Sequence, residues 1–226
     1  MRMFRLSPRL AAVAAYVRVG KNAADVGCDH GYLAAWLAKS GKCPQVIATD
    51  INEKPLEKAK NLFSRLNLNT QCHAVCTNGL VGICPDEVDD VIIAGLGGDI
   101  ISEIIDGTVW LRDDSKQLIL CPTTHASRLR RWLYQNGFCI VAETPVIDGR
   151  FCYSVMNAAY CGKSRELMPG EPEIGLVRPN CDAGKRYIAR EIKRAEDLLN
   201  SGAEDFKREY AADVLKYIDG VCGGIL

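Results

Sequence analysis

The 226-residue chain predicts an α/β fold, a twisted and mostly parallel sheet with helices on both faces. Three observations carry that prediction. Short β-rich runs alternate with amphipathic stretches as far as Ala158. A glycine-bearing turn, Asp25-Val26-Gly27-Cys28-Asp29-His30-Gly31-Tyr32-Leu33, follows the first run and leads into a helix-like stretch. About twenty residues on, Val46-Ile47-Ala48-Thr49-Asp50 ends the next run on a carboxylate. Such a turn lets a nucleotide-like ligand approach the backbone, and an acid at the following strand end can accept both ribose hydroxyls.

The elements follow in order. Ser7-Pro8 reads as an N-cap with proline at the first helical position, and Leu10, Val13, Ala14 and Val17 give the helix an apolar face. Strands are expected at Ala23–Val26, Gln45–Thr49, Gln71–Val75, Asp90–Ala94, Gln117–Cys121, Phe138–Glu143 and Cys152–Ala158. Between them Tyr32–Lys39, Lys54–Leu66, Ile100–Ile105 and Ala126–Asn136 read as helices, which implies right-handed crossovers. The last two runs have no helix between them, only Thr144–Phe151 with Asp148-Gly149 as turn chemistry, so they pair as an antiparallel edge hairpin. Seven strands ending this way match a Class I Rossmann-like methyltransferase sheet better than the six parallel strands of an NAD-binding domain. Residues 161–184, rich in Pro and Gly, read as a linker after a catalytic domain at 1–160. Residues 185–226 then form a helical hairpin, with Ile188, Ile192, Ala195 and Leu199 on one face and Phe206, Tyr210, Val214 and Tyr217 on the other.

The turn also selects the ligand. A dinucleotide site wants G-x-G-x-x-G, with room and positive potential for a pyrophosphate. Here Asp29 and His30 occupy that place, and a carboxylate suits the sulfonium or ammonium of S-adenosylmethionine instead. The eleven cysteines include no C-x-x-C, and several sit inside apolar runs, so a reducing, cytoplasmic setting is expected. Cys72, His73, Cys76 and Cys84 fit no common zinc spacing, so no metal is expected. No stretch is long and apolar enough for a bilayer, and no stable protein partner is implied. Net charge is zero, yet Arg2, Arg5, Arg9, Arg18 and Lys21 precede the first acid, and Lys116, Arg128, Arg130 and Arg131 form a second acid-free segment. If the two meet they make a patch for a polyanion; the other reading is ordinary solvated charge.

In a doubly wound sheet, ligands bind beyond the carboxyl ends of the strands. That rule gathers Asp25, Gly27, Asp29, His30, Tyr32 and Leu33 with Asp50 and Ile51, with Asn78, Gly79 and Leu80, and with Ala94 and Gly95 of Ala94-Gly95-Leu96-Gly97-Gly98-Asp99. Asn78 has an amide for an adenine edge. The glycines of the last loop either make room for a methionine tail and an incoming base or simply build a tight turn capped by Asp99, and the two readings can coexist. Asp29 could hold the cofactor's amino group or a target amine; His30 is a base or a helix-start histidine. Trp36, Trp110, Trp132, Tyr32 and Tyr134 could stack on a base, though helical spacing puts most in a core.

With these segments laid out, the chain resembles the bacterial tRNA (adenine-N1)-methyltransferases acting on position 22. The resemblance lies in Leu6-Ser7-Pro8-Arg9-Leu10, the Asp25–Leu33 turn, Asn78-Gly79-Leu80, Ile93–Gly98, Leu118-Ile119-Leu120-Cys121-Pro122, Leu129–Leu133 and Asn136-Gly137-Phe138. It implies S-adenosylmethionine as methyl donor, tRNA as substrate, catalytic roles for Asp29 and His30, and a carboxy-terminal hairpin that helps to hold tRNA. Arg5, Arg9, Arg128, Arg130 and Arg131 are the candidate RNA contacts. Leu96 replaces the family's usual Met, Cys121-Pro122-Thr123-Thr124 replaces a common Gln-Pro-Asn, and the helical arm reads short for the family. A methyltransferase of this fold with another acceptor, or an RNA-binding module without activity, are the competing readings; the intact Asp25, Asp29, Asp50 and Asn78 set speaks against the second.

Overall fold

The computed structural model describes residues 4–223, so Arg2 of the amino-terminal basic run lies outside the described residues. Its order of elements is α1 (Pro8–Tyr16), β1 (Ala23–Val26), α2 (Tyr32–Lys39), β2 (Val46–Asp50), α3 (Glu53–Arg65), β3 (Cys72–Cys76), β4 (Asp90–Ala94), α4 (Gly98–Asp106), β5 (Gln117–Cys121), α5 (Ala126–Gln135), β6 (Phe138–Asp148) and β7 (Phe151–Tyr160). Three helices complete it: α6 (Glu171–Ile174), α7 (Asp182–Leu199) and α8 (Asp205–Cys222). The seven strands lie in the order β3-β2-β1-β4-β5-β7-β6. The first five are parallel, and β7 runs antiparallel to both β5 and β6. The chain leaves β1 in one direction and β4 in the other, and that divergence opens the crevice where such sheets bind ligands.

Alternation along the strands divides the core. On β4, Val91 and Ile93 join Val26, Leu80, Ile101, Leu118 and Leu129 on one face of the sheet. Ile92 joins Val13, Leu37, Leu56, Phe63 and Ile119 on the other. A one-residue slip would exchange the two sets, so burial on both faces fixes the register.

The edge hairpin departs from its expected bounds. Strand β6 continues through Thr144 to Asp148, so the turn to β7 is only Gly149-Arg150. The strand carries Pro145 within the stretch expected as the connection; β6 is an edge strand, and proline is tolerated where its missing N–H would face outward. A register shift between Ile140 and Ala142 bends the long strand. Residues 161–184 are no open tether: Leu167, Pro172, Ile174 and Val177 are buried, and α7 has begun by Asp182. On α8 the buried residues are Ala211, Val214 and Ile218, while Phe206 is exposed. None of the described helices is long and apolar enough to cross a membrane.

Candidate cofactor cleft and acceptor groove

The turn after β1 is tied to its neighbour strand. The N–H groups of Gly27 and Cys28 both donate to the Thr49 carbonyl, at 2.8 and 3.0 Å, and Gly31 N–H closes the turn on Cys28 O at 2.9 Å. Asp29 holds a left-handed conformation (φ +49), which Asp accepts more readily than most residues. Its side chain is 76% exposed on the rim. His30 Nδ1 lies 3.0 Å from Asp29 Oδ1, at an angle that makes no hydrogen bond.

Beyond the ends of β1, β2, β3 and β4 lies a cleft of about 470 Å³. Of the expected residues it brings together Gly27, Asp50, Ile51, Asn78, Gly79 and Leu80. Asp50 Oδ1 accepts from the Asn52 backbone N–H at 2.8 Å, which holds the carboxylate at the strand end. Thr49 Oγ1 donates to Gly79 O at 2.9 Å and pins the third loop against the second. The far wall comes from α4: Ile100, Glu103, Ile104 and Gly107, followed by Thr108. The sequence reading missed this wall, although its spacing of three, four and seven residues is that of one helix face.

The other expected residues sit elsewhere. His30 and Tyr32 line a separate shallow cavity of about 260 Å³ with Lys58, Leu62 and Arg65. Leu33 is in the core and lines neither cavity, because α2 turns it inward. Ala94 and Gly95 stand at the end of β4, next to the cleft but outside its lining. Asp25 is buried beneath the turn; Oδ2 has no partner among the described residues, and burial raises its pKa to about 7, with the Ala34 N–H opposing the rise. Burial, followed by the charges of Asp25, Asp50 and Asp29, pushes the Cys28 thiol far up, so it packs as a neutral group and is no nucleophile.

On the other side of the β4 and β5 ends is a groove of about 370 Å³ between the β5 exit, β7 and α7. Thr123, Thr124, His125, Tyr153, Arg190 and Arg194 are among its lining. Its wall is rigid, since Thr123 N–H donates to Leu96 O and Gly98 N–H to Thr124 O, both at 2.9 Å. The cap of α4 is Gly97 and not Asp99; Asp99 instead contacts His125 Nδ1 and, at 3.5 Å, Arg128 Nη1.

The basic residues divide by depth. Arg5 and Arg128 are exposed. Arg131 donates to Tyr210 OH at 3.0 Å. Arg130, expected to contact RNA, is fully buried and cannot do so. Its Nε and Nη2 donate to Glu143 Oε1 at 3.0 and 2.6 Å, Nη2 also to Tyr187 OH at 2.8 Å, and Nη1 to the carbonyls of Pro172 and Glu173 at 2.5 and 3.0 Å. Burial opposes its charge, but Glu143 and Tyr187 outweigh that and raise its pKa. Among the described residues no group of three or more His, Cys, Asp or Glu could hold a metal ion.

Comparison with known proteins accords with this geometry. Residues 6–156 match the model of a family described as a methyltransferase domain. The tRNA (adenine(22)-N(1))-methyltransferase of Bacillus subtilis (strain 168) is 33% identical over 171 residues, 73% of this chain and 72% of that protein. The crystal structure of the B. subtilis M1A22 tRNA methyltransferase TrmK superimposes with a TM-score of 0.80 at 25% identity, covering 95% of this chain and 96% of that one. The structure of M. capricolum TrmK in complex with the cofactor product S-adenosyl-homocysteine gives 0.79 at 26% identity, covering 96% and 99%. Coverage of 99% corrects the expectation of a short arm: the helical hairpin is of family length. With the strand-end cleft, the match over two thirds of the chain and whole-chain superposition in agreement, the chain belongs to the methyltransferase family that includes these tRNA (adenine(22)-N(1))-methyltransferases.

Proposed function

We propose that the chain transfers the methyl group of S-adenosylmethionine to N1 of adenine at position 22 of tRNA, the reaction named for its B. subtilis relative. The observation that carries this reading is the cleft, where Asp50 ends β2 and Asn78, Gly79 and Leu80 follow β3. Asp50 would take the ribose hydroxyls, Asn78 an adenine edge, and Leu80 and Ile104 the ring faces. The structure's own orphans fit the rest of such a ligand. Asp25 Oδ2 and Arg9 Nη1 are both buried without hydrogen-bond partners among the described residues, a carboxyl and a guanidinium of the kinds that an amino-acid tail pairs with.

When bound, the cofactor supplies a methyl group made electrophilic by the sulfonium. Adenine N1 already carries a lone pair, so no residue has to remove a proton before attack. The chain's work is to expose N1, at a few kcal/mol for unstacking or unpairing the base, and to fix the line of approach. Asp29, on the rim beside His30, would orient the exocyclic amine and face the positive charge of the product. The acceptor nucleotide would enter from the groove beyond Thr123, with Tyr153 as a ring to stack on. Arg5, Arg128 and Arg131 remain as the proposed backbone contacts, with residues 1–160 as the catalytic part and the hairpin after 184 as the arm. The setting would be the cytoplasm.

The test is methyl transfer to an unmodified tRNA with adenine at position 22, against a matched transcript with guanine there, with the product nucleoside identified by mass spectrometry. 1-Methyladenosine from the first transcript alone is the expected result, with the Asp29→Asn variant well below the unchanged chain. Equal labelling of both transcripts, or none, overturns the assigned acceptor.

A further inference from the structure

We propose, resting on the acceptor named above, that His125 positions the target adenine: its Nε2 accepts a hydrogen from the exocyclic amine while Asp99 holds the ring by Nδ1.

His125 departs from two local rules at once. It is the N-cap residue of α5, a place that favours Ser, Thr, Asp or Asn, and its side chain caps nothing. It also holds a left-handed backbone (φ +55), which among the described non-glycine residues is shared by Asp29 and Asn67. Asn67 follows the C-cap of α3, where that conformation is a common way to end a helix. Asp29 and His125 end no helix, and each stands in a loop at the carboxyl edge of the sheet, after β1 and after β5. What the local structure gives up in caps and backbone it gains in the direction of the ring. His125 Nδ1 faces Asp99 Oδ2, and Arg128 Nη1 lies 3.5 Å from the same oxygen. An ionised carboxylate only accepts, so Nδ1 carries the hydrogen, and in the neutral ring Nε2 keeps its lone pair. The backbone is fixed as well, since the His125 carbonyl accepts Leu129 N–H at 3.1 Å and Gly98 N–H donates to the preceding carbonyl, that of Thr124.

The ring stands where a base would arrive. Its side chain is half exposed and lines the groove with Thr123, Thr124 and Tyr153. Groove and cleft share a thin wall: Leu96 lines the cleft, and its carbonyl accepts Thr123 N–H from the groove side at 2.9 Å. Gly97 and Gly98 add no side chain to that wall, and a Cβ on Gly97 would lie 3.0 Å from Thr124 Oγ1. A base stacked on Tyr153 would reach across it with N1 toward the methyl group. The exocyclic amine has two hydrogens, and Asp29 meets one from the β1 side while His125 meets the other from the β5 side. A carbonyl in that place, as guanine carries, would face two acceptors.

The experiment is single-turnover methylation of the transcript with adenine at position 22 by the full chain, unchanged and as His125→Ala, His125→Gln and His125→Arg. Each protein is also titrated calorimetrically with S-adenosylhomocysteine. H125A should react about tenfold more slowly, the size of one lost hydrogen bond. H125Q, whose amide oxygen can accept, should recover part of the rate, and H125R, which can only donate, should not. S-adenosylhomocysteine affinity should be the same in all four. On a transcript with purine at position 22, which keeps N1 and lacks the amine, H125A and the unchanged chain should react at equal rates. An undiminished rate in H125A with adenine, or an equal loss on both transcripts, overturns the proposal. Recovery in H125R and not in H125Q makes His125 a phosphate contact and overturns it too. So does a fall in S-adenosylhomocysteine affinity that matches the fall in rate, since the Asp99–His125 pair would then only clasp α4 against the cleft. Should H125A fail to fold, H125Q against H125R still decides. If the unchanged chain labels neither transcript, the acceptor reading itself has failed, an outcome distinct from the failure of His125 alone.

Discussion

At the scale of single residues, Asp25 couples the site to stability. Its pKa lies near 7 in the folded chain against 3.8 for an ordinary Asp, because burial disfavours the charge. The folded state therefore holds a proton that the unfolded chain releases, and stability falls as pH rises from about 4 to 7. Urea denaturation at pH 5 and pH 8 should show the unchanged chain losing about 2–3 kcal/mol more over that interval than Asp25→Asn does. Parallel behaviour of the two would mean that Asp25 is not the group responsible. Depth is also what divides the legible site residues from the rest. Gly27, Asp50, Ile51, Asn78, Gly79 and Leu80 could be placed from sequence because a strand end and its loop are local features. Arg130 could not, since its basicity says nothing of the carboxylate thirteen residues on, or of the tyrosine fifty-seven residues on, that bury it.

At the scale of elements, alternation of strand and helix was enough to give the parallel sheet and its antiparallel edge, and β1, β4 and β5 lie where their apolar runs placed them. The pattern misjudged β6, which was expected to end at Glu143 and runs on to Asp148, with Pro145 permitted by the strand's place at the sheet edge. It was also silent on α4 as the cleft wall. How α4 docks is set by close approach at its first residue: a Cβ on Gly98 would lie 2.5 Å from the His125 carbonyl oxygen. Gly98→Ala should push the β4 and β5 exits apart and destabilise the chain by about 1–3 kcal/mol, the usual range for overpacking. An unaltered urea midpoint would show that the two loops can move independently.

At the scale of the whole molecule, one buried guanidinium ties the arm to the sheet at several points at once. Arg130 on α5 binds Glu143 of β6, the carbonyls of Pro172 and Glu173 in α6, and Tyr187 of α7. Glu143 Oε2 in turn accepts the Leu176 N–H at 2.8 Å. Arg130→Met should cost about 3–5 kcal/mol by leaving the buried Glu143 without its cation, and Arg130→Met with Glu143→Gln should recover part of that loss. Strict additivity of the two changes in a double-mutant cycle would refute the coupling. The same knot has a consequence for motion. The amide protons of Gly175, Leu176 and Val177, in a stretch loop-like by composition, are hydrogen-bonded beside that knot and should not exchange with solvent by fraying of the stretch alone. They should be released in the same rare opening that frees the β6 amides, so that arm and sheet breathe as one cooperative unit.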